Sequence, residues 1–181
     1  MPEPLSAAVA ASGRRAVDVR SAHARDAAAW WRLQRGIYDE GSWFVGDGPP
    51  SEGALSARIR TLDTTRAAVL LALVDEEIAG WCEATRLAAM RLEHVAVLTV
   101  AVAAHLRRRG CGEALLDEAE VWACGLGVRK LSLSVRGANA AAQALYRRCG
   151  FEVEGIEREQ VRDVGGFEDN LIMAKFLADR A

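Results

Sequence analysis

The chain has 181 residues, 51% of them hydrophobic and 27% charged, with a formal net charge of −2, a composition that fits one globular domain and not a disordered chain. So balanced a charge gives no overall field to collect nucleic acid or an anionic membrane, so any anion site must be local. No apolar run approaches the ~20 residues that span a bilayer.

The Ala-rich start lacks a basic flank and does not read as a signal peptide. Residues 1–13 are expected to be a disordered tail, residues 14–181 a single domain, and the protein cytoplasmic. Cys82, Cys111, Cys124 and Cys149 are far apart without a CxxC spacing, which reads as free thiols in a reducing compartment. His23, His94 and His105 form no ligand pattern, so no metal is expected.

In chain order, "RAVDVRSA" alternates apolar and polar residues as a strand does. "RDAAAWWRLQRGIYDEG" follows as a helix with Asp26 as its cap and Trp30, Leu33 and Ile37 on one face. "GSWFVGDGPPSEG" is a loop by its Gly and Pro content. "SEGALSARIRTL" is a second, shorter helix with Leu55, Ile59 and Leu62 at helical spacing. "RAAVLLALVDEEIAGWCEATRL" reads as a hairpin turning at Asp75, Glu76 and Glu77. "EHVAVLTVAV" is apolar without clear alternation, the pattern of a central strand covered on both faces. The helix "GEALLDEAEVWACGLG" carries Leu115, Leu116, Ala119, Trp122 and Ala123 on its inner stripe and ends at Gly125 or Gly127. "KLSLSV" is a strand, "NAAAQALYRRCG" a helix stopped by Gly150, and the remainder a hairpin around Gly165 and Gly166. One α/β domain with a central strand-helix-strand crossover results.

Between the apolar strand and the third helix lies "RRRGCG", three arginines and two glycines at a strand-to-helix turn. A helix N-terminus offers free N–H groups and the positive end of its dipole to an anion, and glycines let the main chain approach it. The turn is not a Walker loop, which needs GxxxxGK[ST], nor a dinucleotide fingerprint, whose third glycine position is Leu115 here.

Arg107-x-x-Gly110-x-Gly112 after an apolar strand resembles the cofactor motif of the GNAT family of N-acetyltransferases. "NAAAQALYRRCGFEVEG" resembles that family's second cofactor-side motif, with Asn139, Ala142, Leu145, Tyr146, Gly150 and Phe151 in place. The terminal hairpin, with Asp169 and Met173, is similar to those of ribosomal-protein and amino-acid acetylating branches. The resemblance covers residues 14–176, strongly from His94 onward. It implies a mixed, mostly antiparallel central sheet flanked by about four helices. It also implies acetyl-CoA as acyl donor, no metal, and direct transfer to a primary amine (a small amine, an amino acid or a protein N-terminus) in a ternary complex.

By the same resemblance, Thr99, Val100, Ala101 and Val102 contact the pantetheine arm through their main chain. The turn from Leu106 through Arg107, Arg108, Arg109, Gly110, Cys111 and Gly112 to Glu113 holds the pyrophosphate. Asn139 is a cofactor contact or a helix cap, and Tyr146 the acid that protonates the departing thiolate. Glu83, a carboxylate in an apolar strand, is the first candidate for the base, with Glu93 and His94 behind it. Trp43 and Phe44 are candidate walls of the acceptor pocket. Cys111 and Cys149 are not expected to carry acyl groups. Many relatives carry proline before the basic turn, where this chain has Ala103, Ala104 and His105.

A noncatalytic acyl-CoA-binding regulator of the same fold is the alternative; Tyr146 and the strand carboxylate favour the enzyme. A nucleic-acid-binding role for the arginine run fits neither the net charge nor the single cluster. A homodimer is expected, because the apolar strand "NLIMAKFL" needs a neighbour on each edge.

Overall fold

A computed structural model describes residues 17–177 apart from Ser42, Val45 and Asp47. The expected tail lies outside the described residues. The elements are β1 (Asp18–Ser21), α1 (Ala27–Asp39), α2 (Glu52–Arg60), β2 (Ala67–Val74), β3 (Glu77–Arg86), β4 (Val95–Val102), α3 (Cys111–Gly125), β5 (Lys130–Arg136), α4 (Ala140–Arg148), β6 (Glu152–Asp163) and β7 (Gly166–Phe176). The seven strands form one sheet in the order β1-β2-β3-β4-β5-β7-β6. Every pairing is antiparallel except β4 with β5.

The period-2 alternation of β2 and β3 sends side chains to two cores. Leu70, Ala72, Cys82 and Ala84 pack with Leu115, Leu116, Ala119 and Ala123 of α3 and with Tyr146 of α4. Val69, Leu71 and Trp81 pack on the opposite face with Trp30 and Ile37 of α1 and Leu55 of α2. Helices therefore cover both faces, α3 and α4 one, α1 and α2 the other.

Four local readings change. The β2–β3 turn is the two residues Asp75 and Glu76, both at positive φ (51° and 66°), a primed turn without the usual glycine or asparagine. β4 does alternate: Ala96 and Leu98 are buried against the α3 side, while Val97 and Thr99 are exposed on the other. Only one face of this central strand is fully covered. β7 lies between β5 and β6, so the strand that was expected to need a partner finds both neighbours within the chain, and that reason for a dimer disappears.

Asp26 does not cap α1. The chain already turns helical over Ala24–Asp26, and the Asp26 carboxylate reaches back to the His23 N–H at 2.7 Å. It also takes a two-pronged hydrogen bond from Arg20 of β1, at 2.7 and 2.9 Å. The Arg20 guanidinium is the main reason that the Asp26 carboxyl is held down at about 2. A group with a depressed folded-state pKa stabilises the fold above its unfolded value and stops doing so as pH falls through the folded one. Asp26→Asn should therefore lower unfolding free energy by about 1–2 kcal/mol at pH 7, with the gap to the parent narrowing between about pH 4 and 2. Urea unfolding at pH 7 and pH 3 checks this; an equal difference at both would show that the charge is not what matters.

Candidate active site

β4 and β5 pair over three positions only, Val95 with Lys130, Ala96 with Leu131 and Val97 with Ser132. β3 pairs with β4 on its other edge as far as Val102, and β7 pairs with β5 as far as Arg136. The two central strands thus part at their carboxyl ends. Main-chain groups of alternate residues point to opposite edges of a strand. Val95 O accepts from Leu87 N–H (2.9 Å) and Ala103 N–H donates to Ala79 O (2.8 Å), both on the β3 side. His94 O accepts from Lys130 N–H (3.1 Å) on the β5 side, and Val102 O accepts from Arg107 Nε (3.0 Å). By that alternation Leu98 and Val100 present their main-chain groups to the gap, while Thr99 and Ala101 present theirs to β3.

The basic turn closes the end of this gap. Gly110 precedes α3 in a left-handed conformation (φ 93°), which a residue with a side chain rarely adopts, and the space around its missing Cβ is open. The 15-residue helix α3 then starts at Cys111, so the first-turn N–H groups of Cys111, Gly112 and Glu113 have no partner within the helix. A Cβ at Gly112 would stand 2.7 Å from Cδ2 of Leu145. The glycine lets α4 lie against α3.

The three arginines are not equivalent. Arg107 is committed to Val102 O and, through Nη2, to both carboxylate oxygens of Glu40 at 2.8 and 2.6 Å. Arg108 takes a positive φ of 63°, and Arg108 and Arg109 are exposed beside Gly110. Cys111 is buried with its thiol towards Leu106 O at 3.8 Å. Burial pushes the Cys111 and Cys149 thiols up.

On α4, Asn139 is the N-cap, its Oδ1 accepting from Ala142 N–H at 3.1 Å. Tyr146 is 7% exposed, packs 5.9 Å from Phe151, and is pushed up to about 12 by burial and then by Cys82 and Cys149. Cys82 pairs in register with Val100, and Glu83, the next residue, with Thr99. Tyr146 and Glu83 are therefore at one level of the sheet on opposite faces, beside the parted strands.

On the α1–α2 face, a cavity of about 550 Å³ is lined by Gln34, Tyr38, Phe44, Arg58, Trp81 and Glu83, with Thr99 at its side. Phe44 stacks between Tyr38 and Trp81, with centroids at 4.9 and 5.8 Å. Trp43 instead turns its Nε1 to Glu40 at 3.2 Å. Glu83 has its proton affinity raised by burial and partly lowered again by Arg58, whose Nη2 lies 2.9 Å from Oε1. Glu93 and His94 are exposed before β4 and are not among the cavity's residues.

Sequence reading missed Arg58, Tyr38 and Gln34. Gln34 had a signal, a polar residue at helical spacing from Trp30 and Ile37 and buried with them. It also missed Arg136, at the end of β5, which binds Glu168 at 2.6 Å and Asp163 at 2.8 Å, while Glu168 accepts from Ala138 N–H at 2.7 Å ahead of α4.

The acetyltransferase (GNAT) family model matches residues 29–151. A [ribosomal protein bS18]-alanine N-acetyltransferase of Salmonella typhimurium is 40% identical over 87 residues, 46% of this chain and 56% of that protein. The chain thus spans only about half the length of that relative. An aminoglycoside N(6')-acetyltransferase type 1 of Stenotrophomonas maltophilia is 29% identical over 146 residues, 74% of this chain and 85% of that protein. Among solved structures, an acetyltransferase of the GNAT family from Streptococcus pneumoniae superposes with a TM-score of 0.83 at 27% identity, covering 90% of this chain and all of that one. Parted strands, turn and third helix all fall inside the matched stretch, and the chain belongs to the acetyltransferase (GNAT) family.

Proposed function

We propose that the protein is an N-acetyltransferase that moves an acetyl group from acetyl-CoA to a primary amine by direct transfer in a ternary complex. The observation that carries this reading is the gap between β4 and β5, with the α3 N-terminus at its end, Tyr146 on one face and Glu83 on the other. The two relatives, named for acetylating a protein's alanine and an aminoglycoside, agree on the reaction and differ in the acceptor. The alternative of a noncatalytic regulator has no observation in its favour.

In this reading the amides of Cys111, Gly112 and Glu113 face the pyrophosphate at the positive end of the α3 dipole. Arg108 and Arg109 add local positive charge, and Arg107 holds the turn to Val102. Leu98 and Val100 meet the pantetheine arm with their main chain. The thioester carbonyl then lies against N–H groups that polarise it. Because Cys111 and Cys149 are held as thiols by burial, neither is poised to take an acyl group.

The proton balance is simple. An acceptor arriving as ammonium gives one proton to Glu83, directly or through water, and Glu83 sheds it to solvent. The amine then attacks the carbonyl, the N–C bond forms and the C–S bond breaks. The thiolate leaves hydrogen-bonded to the Tyr146 hydroxyl and takes up the second proton of the nitrogen, so that coenzyme A departs as the thiol. At about 12 the Tyr146 hydroxyl is protonated throughout the physiological range, as a donor must be. It is a weak acid beside an ordinary thiol, so it acts mainly by donating a hydrogen bond to the charge that grows on sulfur.

Tyr146→Phe should lower kcat by roughly 10²-fold with acetyl-CoA affinity nearly unchanged. Steady-state thiol release and calorimetry on one preparation test this, and parental turnover with chemistry rate-limiting would remove the role. Gly112→Val should weaken acetyl-CoA binding by displacing Leu145 and α4, and adding Leu145→Ala should restore part of it. No recovery would mean that the new side chain obstructs the donor itself.

The acid limb of the kcat/KM profile should have its midpoint above the ordinary carboxylate range, because burial raises Glu83 more than Arg58 lowers it. Tyr38, the other titratable group facing Glu83, is itself raised by burial and stays neutral across that limb. Glu83→Gln should abolish the limb along with most activity. An unchanged limb in that variant would move the base elsewhere.

A further inference from the structure

We propose, resting on the acetyltransferase reading, that the acceptor is a free apolar α-amino acid bound as its zwitterion, its carboxylate on Arg58 and its ammonium on Glu83. Among the described residues, the lining of the cavity carries one formal charge of each sign, and the two are in contact at 2.9 Å. An acceptor charge pattern complementary to this pair has a cation and an anion equally close together. An α-amino acid has that pattern, with one carbon between its charged groups.

Exposure sets the orientation. Arg58 is 48% exposed and rises from α2 at the rim, while Glu83 is 23% exposed and sits on β3 beside Thr99 and the parted strands. The carboxylate is therefore held outermost and the amine innermost, on the side of the thioester. The remaining lining is mostly apolar, the stack of Tyr38, Phe44 and Trp81 with Pro50, Ala54 and Leu55 against the two polar residues Gln34 and Thr99, and suits an apolar side chain. A cavity of about 550 Å³ has room for such a molecule.

Other acceptor classes match less well. A bare amine would share Glu83 with the guanidinium, placing two cations on one carboxylate. A peptide N-terminus has an uncharged amide where Arg58 needs an anion, and a polyamine meets a positive residue at the rim. A zwitterion gives four alternating charges in place of two.

The test compares leucine with leucinamide, 3-methylbutylamine and a leucyl dipeptide, which keep the side chain and the amine and remove the neighbouring carboxylate. With acetyl-CoA as donor and thiol release as readout, kcat/KM for leucine should exceed that for each analogue by about tenfold or more. In Arg58→Ala that ratio should fall to near one, and Arg58→Lys should recover part of it. If Arg58→Ala does not fold, the comparison in the unaltered protein decides alone. Equal or faster reaction of leucinamide or the dipeptide would overturn the zwitterion and leave the transferase reading standing. Failure to bind acetyl-CoA by calorimetry, with no thiol released for any amine, would overturn the transferase reading and this one with it.

Discussion

The site depends on two neighbouring strands that stop pairing. β4 and β5 are parallel, joined through α3, and their ladder ends at Val97 and Ser132 although both strands run on. Each ladder bond left unmade removes about 1 kcal/mol and leaves a polar group that needs another partner. The opening persists because both strands are held from outside. β4 is paired to β3 over seven positions and β5 to β7 over seven, so neither can swing to close it. A polar strand edge is thus kept unpaired by its neighbours, and an extended amide-bearing chain such as a pantetheine arm is the kind of partner that edge lacks. The capping of Val102 O by Arg107 shows the same demand being met within the chain.

Much of this was legible in the residues, and what was not has physical reasons. Strand and helix patterns located every element, because burial on two faces imposes periods that a single sequence displays. The turn was found because only a left-handed residue at Gly110 permits the entry to α3, and a glycine there is visible. For Gly112 the pattern did not show its contact with Leu145, which joins two helices separated by a strand, and local pattern does not report such distances. Asp26 was misassigned for the same reason. A carboxylate before a helix suggests a cap, but Arg20 on β1 competes for it, and a two-pronged guanidinium is the stronger partner. Arg58 could not have been found at all. On its helix it looks like any solvated arginine, and only the packing of α2 against β3 brings it to Glu83.

In the proposed reaction Tyr146 on α4 and Glu83 on β3 have opposite tasks. Both groups have raised proton affinity because burial disfavours their charged forms. For the phenol this secures the protonated state, and for the carboxylate it brings the pKa closer to the range where a base is useful. The difference lies in the neighbours. Tyr146 is surrounded by Cys82, Cys149 and Phe151, none of which supplies a positive charge. Glu83 has Arg58 at 2.9 Å, which lowers its proton affinity against the effect of burial. Adjacent positions of β3, Cys82 and Glu83, face the two environments, so the alternation of a single strand separates the side of Tyr146 from the side of the cavity.

The basic turn and the cavity are also joined, through the residue that composition would assign to phosphate attraction. Arg107 binds Val102 O with Nε and Glu40 with Nη2, and Glu40 in turn accepts from Trp43 Nε1. Trp43 is followed by Phe44, the middle ring of the cavity wall. A chain of charge-assisted hydrogen bonds thus runs from the basic turn, through Glu40 at the end of α1, to Trp43, whose neighbour in sequence lines the cavity. A lysine could not form it, since one ammonium cannot reach a strand carbonyl and both oxygens of a carboxylate in the planar geometry of a guanidinium. The position of Arg107 in the turn follows from that geometry: it anchors the start of the turn, which leaves Arg108, Arg109 and the helix amides as the groups able to meet an anion.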